Sequence, residues 1–226
     1  MAIRRYLAMT AEEIARTPSL PEGAAGMYCP FSQEAGASLS TDVLVLTDHT
    51  PADSRAASAV IHQILTGQWE AVLLDFQRPG NPEALSFAKA LLQALPCPTV
   101  VSTHYAGELN CPVFLPPLPL CERLREYIAP WNGREIWLDI GTEGLLVTLT
   151  KEGAFEKPLP HFPGTEMHHA DTGLHCHYSV SVSEDKAEFI LWRTREDLEA
   201  LLQEAEQCGV KAAVGLYQEL MLIKLY

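Results

Sequence analysis

Hydrophobic and polar positions alternate along this chain in short blocks. Thr41 to His49 is an almost unbroken apolar run with a polar tip, and Gln68 to Gly80 repeats the pattern, with Ala71-Val72-Leu73-Leu74 leading to Asp75-Phe76-Gln77 and a Pro-Gly stop. Continuous apolar runs of this length read as parallel strands buried on both faces, delivering polar side chains at their C-terminal ends. A period of two puts Leu73, Asp75 and Gln77 on one face of the strand and Val72, Leu74 and Phe76 on the other.

Helical spacing fills the intervals. Thr10-Ala11-Glu12-Glu13 is a capped helix start, and Pro51-Ala52-Asp53 opens a stretch with Val60, Ile61, Ile64 and Leu65 on one side, closed by Gly67. Pro82-Glu83 opens a helix with Leu85, Ala88, Leu91, Leu92 and Leu95, which stops at Pro96. A further helix runs from Thr194 to the Gly209 stop. Weaker strand patterns lie at 3–9, 24–31 and 111–117, and stronger ones at 99–105, 187–193 and 212–218.

From Arg134 the texture changes. Glu135 to Ile140, Leu145 to Lys151, His175 to Ser183 and Ala187 to Arg193 are strand-like segments joined by Gly, Asp and Glu turns, which is a hairpin signature. An antiparallel insertion is therefore expected over about 134–186. The strands outside it, near 3, 24, 43, 71, 99, 112, 188 and 212, number eight. The expected fold is a small α/β (β/α)₈ TIM-type barrel over 1–226, with short helices and the β insertion before its seventh strand. An open doubly wound sheet is the alternative if the segments at 24 and 112 are loops.

In such a barrel the C-terminal strand ends gather Asp48 and His49, Asp75 and Gln77, His104 and Tyr105, Trp192 and Arg193, and Tyr217 to Glu219. Acids, amides and aromatics converging there suit a polar ligand with flat faces, such as a sugar. Glu70-Ala71-Val72-Leu73-Leu74-Asp75-Phe76-Gln77 resembles the DxxDxDxE strand of glycoside hydrolase family 18, the chitinase-like barrels, and the helix from Asn81 to Leu95 resembles the one that follows it. The resemblance puts Glu70 at the first acidic position and Leu73 at the second. It puts Asp75 at the aspartate that orients the substrate acetamido group and Gln77 at the general acid. It also implies that Tyr217 supplies an aromatic floor.

An acid catalyst must hold an exchangeable proton, and a carboxamide has none to give at neutral pH; losing that step alone costs roughly 10²–10⁴ in rate. The candidate catalytic set is thus Asp75, Gln77 as a degenerate acid position, and Glu219. The substrate-binding set is Asp48, His104, Tyr105, Trp192 and Tyr217. Three readings stay open: a catalytically impaired binder of a saccharide or small polar ligand, a glycoside hydrolase drawing its acid from Glu219, Asp48 or an insertion residue, and a structural or interaction protein without a ligand. Against these stand plainer roles. Asp75 and Gln77 would suit a capped strand end, His104 and Tyr105 a packed pair, and the four tryptophans core packing.

Charge and cysteine usage narrow the partners. The 226 residues carry 16 basic and 29 acidic side chains, a net charge of −13, which opposes attraction to nucleic acid or anionic lipid. No apolar run reaches membrane-spanning length. Six cysteines without a CxxC pair, after an N-terminus too short and too acidic for an export signal, point to reduced thiols in a cytoplasmic protein. His168, His169, His175 and His177 raise a zinc question, since imidazole and thiolate are zinc ligands, but they lack the paired spacings and read as a His-rich hairpin loop. No phosphate-binding glycine loop follows any strand, and no cofactor is expected.

Overall fold

The structure is a computed structural model that describes residues 2–31, 41–49, 61, 64–160, 162 and 164–225. Eight parallel strands close into a barrel: β1 (Arg4–Met9), β2 (Ala24–Tyr28), β3 (Val43–Thr47), β4 (Ala71–Asp75), β5 (Thr99–Ser102), β6 (Val113–Leu115), β7 (Ile136–Asp139) and β13 (Ala212–Leu216). The ring closes where β1 pairs with β13, from Arg4 opposite Ala212 to Ala8 opposite Leu216.

The expected barrel is present, but its seventh strand is not the expected one. Ala187 to Arg193 had the stronger pattern and is followed at once by a capped helix, like a strand–helix unit. The strand that fills the seventh place is instead β7, between β6 and β13. The insertion therefore follows the seventh strand. It is a five-stranded antiparallel sheet in the order β10-β11-β12-β8-β9, formed by β8 (Gly144–Thr150), β9 (Gly153–Leu159), β10 (His169–Asp171), β11 (Cys176–Val182) and β12 (Lys186–Trp192). Sequence adjacency of β12 to a helix misled because sheet membership is decided by long-range pairing, and β12 pairs with β8 and β11.

Alternation along the barrel strands builds a filled interior. Tyr6, Ala8, Ala25, Val43, Val45, Ala71, Leu73, Val100, Phe114, Trp137, Ala212 and Val214 form one buried cluster, and Tyr6 stacks on Trp137 with ring centroids 5.3 Å apart. Alanine on four of these strands makes room for three large rings in a small bore. The opposite faces pack outward. Leu44, Leu46, Val72, Leu74 and Phe76 meet Ala84, Phe87, Ala88 and Leu91 of α2 (Pro82–Ala94), while Leu115, Leu138 and Ala213 meet Leu198, Leu201, Leu202 and Ala205 of α5 (Arg195–Gln207).

Shorter helices complete the chain: α1 (Ala11–Arg16), α3 (Thr103–Ala106), α4 (Leu124–Ile128) and α6 (Tyr217–Leu222). Their starts follow local chemistry. Thr10 and Glu13 form a capping box on α1, the Asn81 carboxamide accepts from Glu83 and Ala84 with Pro82 in the first turn of α2, and Thr194 and Asp197 form a second capping box on α5. The helix expected from Pro51 falls largely outside the described residues, although Ile61 and 64–66 are helical.

Candidate functional site

Two strands end on carboxylates that share one orientation. Leu73 and Trp137 belong to the barrel interior, so a period of two carries Asp75 and Asp139 inward above them, at the C-terminal end of the bore. This end opens into a cleft of about 480 Å³ bounded by Gln77, Asp139, Glu143, Glu156, Arg193 and Glu219, with a rim of Pro116 to Cys121 and Leu216. Leu145, Glu156 and Pro158 bring the inserted sheet into the wall. A hollow of about 540 Å³ lies at the other end of the barrel, around Ala2 to Tyr6, Asp42 and Glu70. The C-terminal end is where βα connections of a barrel build sites, and it is the end with converging inward carboxyls, so the candidate site is placed there.

The segment after β4 is held firmly. The buried Asp48 carboxylate accepts from the backbone N–H of Gln77 at 2.8 Å and of Arg78 at 3.0 Å. Ser102 donates its hydroxyl to the Phe76 carbonyl at 2.6 Å, and the Tyr105 hydroxyl donates to the Arg78 carbonyl while accepting from Asn81 N–H at 3.2 Å. Arg78 reaches the His49 carbonyl at 2.6 Å. Two neighbouring segments, after β3 and after β5, thus fix the backbone that carries Gln77, and a site held in this way needs little reorganisation on binding. Gln77 itself is exposed, and its amide nitrogen donates to Asp75.

The electrostatics of the pair are unusual. Burial pushes the Asp75 carboxyl above its ordinary value; the Gln77 hydrogen bond opposes this, Asp48 adds to it and His104 opposes it. Burial also raises Asp139, well above the carboxylate range, helped by the charges of Asp75, Glu219 and Glu143 and opposed by the Ile140 backbone N–H. Glu219 accepts from the Thr142 backbone N–H at 3.2 Å and its hydroxyl at 3.3 Å.

Among the described residues that line the cleft Arg193 is the cation, and three of its five N–H donors are taken. They go to the carbonyls of His175 at 3.1 Å, Leu118 at 2.6 Å and Pro119 at 3.3 Å, and burial lowers its pKa to about 10.

Gln77 and Glu219 therefore share the cleft, with Asp75 bonded to Gln77. Asp48 and Tyr105 lie beneath and behind the loop and shape it, and His104 is exposed on α3. Trp192 is buried inside the insertion, its ring 5.3 Å from Phe162 and 6.1 Å from His177, and does not end a barrel strand. Tyr217 starts α6 and packs on the outer cluster. Glu70 stands at the opposite end of the barrel, beside Asp42 and Tyr6. Asp139 was missed, although Ile136-Trp137-Leu138-Asp139 carries the same apolar-run-to-acid signal as Val72-Leu73-Leu74-Asp75.

The histidines have protein partners. His175 Nε2 lies 2.6 Å from Glu204, and His177 Nδ1 lies 2.6 Å from Asp197. Among the described residues no three His, Cys, Asp or Glu side chains are grouped to hold a metal ion. Among them, too, no helix is long and apolar enough to cross a membrane.

The closed parallel barrel with its inserted antiparallel sheet is a chitinase-like barrel fold. The chain superposes on the C-terminal domain of a candidate chitinase from Desulfitobacterium hafniense DCB-2 with a TM-score of 0.57 and 9% identity, over 95% of this chain and 93% of that one. It also matches the Bacillus cereus spore cortex-lytic enzyme SleL, with a TM-score of 0.52 and 10% identity, over 99% of this chain and 74% of that one. A candidate sporulation-specific glycosylase from Bacillus subtilis matches with a TM-score of 0.50 and 8% identity, over 76% and 78%. No family model matches the sequence, and no curated protein matches it. At these identities the likeness is one of fold.

Proposed function

We propose that this protein is a glycosidase-like barrel that binds a saccharide, or another small polar ligand, at the C-terminal mouth, with its hydrolytic step impaired. The observation that carries the reading is Gln77. It stands exposed at the cleft and is hydrogen-bonded to Asp75, at the strand end where the resemblance calls for a proton donor, and its amide has no proton to transfer. The chitinase-like fold, the half-apolar cleft and the firmly held Gln77 loop support saccharide as the ligand class. The net charge of −13 disfavours nucleic acid and anionic membrane as partners, and six scattered cysteines without a CxxC pair suit a cytoplasmic location.

A second reading, an active hydrolase with a different acid, is favoured by Asp139, a cleft carboxyl whose environment keeps it protonated above the ordinary range. A screen of the native protein and Gln77→Glu against N-acetylated chromogenic glycosides separates the two, alongside calorimetry with N-acetylglucosamine oligomers. Binding without turnover in the native protein, and turnover gained in Gln77→Glu, is the expected result. Turnover by the native protein moves the assignment to the second reading. Silence in both, with no heat of binding, overturns both and leaves a structural or interaction role.

A further inference from the structure

The inserted sheet has two unlike faces, and the one turned to the cleft is apolar. Leu145, Glu156 and Pro158 line the cleft, and the register of β8 with β9 sets all three on one side of the sheet, Leu145 opposite Pro158 and Val147 opposite Glu156. That side continues beyond the cleft. Leu145, Val147 and Leu149 of β8 stand beside Leu191, Phe189 and Ala187 of β12. Those three in turn stand beside Tyr178, Val180 and Val182 of β11. The result is a three-by-three grid of apolar side chains, none of them buried, with Leu149, Val180 and Val182 41%, 43% and 77% accessible. The other side carries Thr148, Thr150, Ser179, Ser181, Lys186 and Glu188, and Phe162 and His168 rest on its Trp192. An antiparallel sheet of this kind ordinarily packs its apolar side on a core and gives its polar side to water. Here nothing among the described residues buries the apolar side.

We propose that this face is the tail-binding part of the candidate site, holding the alkyl or acyl chain of a soluble amphiphile whose polar head lies in the cleft. The identity of the head rests on the saccharide reading; the tail does not. Continuity carries the proposal, since Leu145 belongs both to the cleft wall and to the grid. From Leu145 to Leu149 the row runs about 14 Å, which a medium-length alkyl chain spans. The Tyr178 hydroxyl is the one polar side-chain atom of the grid. Further sugar units, or an extended peptide, would therefore set hydroxyls or amides against hydrocarbon without partners, whereas methylenes need none. Size and charge weigh against a second copy. The grid measures about 17 Å along the strands and about 14 Å across them, a few hundred Å², where each partner of a standard interface gives roughly 800 Å². A net charge of −13 also sets two copies against each other. The sheet edges do not invite one either: β10 has three residues, and β9 carries Pro158, which has no N–H to pair.

Calorimetry on the full chain with methyl, hexyl and octyl N-acetyl-β-glucosaminides, below their micelle-forming concentrations, reads the tail directly. A chain lying on an open face buries about half its surface, so affinity should rise about twofold per methylene and about a hundredfold from methyl to octyl. Equal affinity for the methyl and octyl glycosides overturns the proposal and leaves the saccharide reading intact. Amide shifts induced by the octyl glycoside should fall on β8, β11 and β12 as well as the cleft rim, and shifts confined to other elements overturn it. Val147→Ser, in the middle of the row, should cut the gain from methyl to octyl about fivefold. An unchanged gain overturns the placement, and the native series with its amide shifts decides if the variant does not fold. Octyldimethylamine oxide binding as tightly as the octyl glycoside, with N-acetylglucosamine oligomers silent, keeps the tail site and sinks the saccharide reading; no binding of either octyl compound sinks the tail site. Two further arms separate other occupants. A dimer in sedimentation equilibrium that Val147→Ser abolishes gives the face to a second copy, and flotation with phosphatidylcholine vesicles that the same variant abolishes gives it to a bilayer. Either result overturns the proposal.

Discussion

The barrel and the inserted sheet solve the problem of burying strands in opposite ways. Along β3, Val43, Leu44, Val45 and Leu46 are all essentially inaccessible, because one face fills the bore and the other packs on helices. Along β9 only Leu159 is less than exposed, and Phe155 and Val182 of the inserted sheet are 58% and 77% accessible. The barrel therefore carries its own core, whereas the insertion depends on how it is fastened. Its fastenings are Arg193 on the Leu118 and Pro119 carbonyls, His175 beside Glu204 and His177 beside Asp197, the last two joining β11 and its approach to α5. The contrast matters for function, since the site uses both regions: carboxyls from barrel strands and a wall from the insertion.

Substitutions can break or sharpen that contrast. Trp137→Ala empties the bore where Tyr6 stacks and should cost about 3–5 kcal/mol in urea unfolding. A loss below 1 kcal/mol would mean that the interior layer is not the barrel's core. Arg193→Met leaves buried carbonyls without a donor, at about 1–3 kcal/mol. Amide exchange should then accelerate in β8 to β12 while β3 and β4 stay protected, and equal acceleration in both regions would contradict separate fastening.

Asp139→Asn probes the barrel mouth through pH. A carboxyl raised in the folded state contributes stability that is fully present below its unfolded pKa and is lost as pH rises through the folded one. From about pH 4 upwards the native protein should lose stability relative to the variant. Melting curves that stay parallel across that window would exclude the raised carboxyl. Thr194→Ala removes the cap of α5, the helix that receives the insertion's histidines, and should cost about 1 kcal/mol by thermal melting. Val182→Ser, on the exposed end of β11, should change stability by less than about 0.5 kcal/mol, and a larger loss would reveal packing on that face.

Much of the fold was legible because most barrel strands advertise themselves locally. Val43 to Thr47 and Ala71 to Asp75 are continuous apolar runs, and Thr10, Asn81 and Thr194 cap helices through contacts two or three residues away. The eight-strand count came out right while one strand was exchanged for another, because Ile136–Asp139 and Lys186–Trp192 look alike until their partners are known. The same likeness hides Asp139, since a strand read as part of the insertion would not carry its terminal acid to the barrel mouth.

Within the site, Asp75 and Gln77 were marked by period two and their place at a strand end, and the structure puts Gln77 at the cleft. Asp48 and Tyr105 had the same marks, yet their polar atoms are taken by the backbone of a loop about thirty residues away. Sequence by itself determined the strand and helix periods, the caps, the amide at position 77 and the acidic balance, all of which depend on a residue's own chemistry or its near neighbours. Tertiary structure alone decided which strand closes the ring, which polar groups are spent on loops, and that Asp139 is buried in the field of Asp75, Glu219 and Glu143. Those depend on groups brought close by barrel closure, and burial there, not residue type, sets whether a carboxyl keeps its proton.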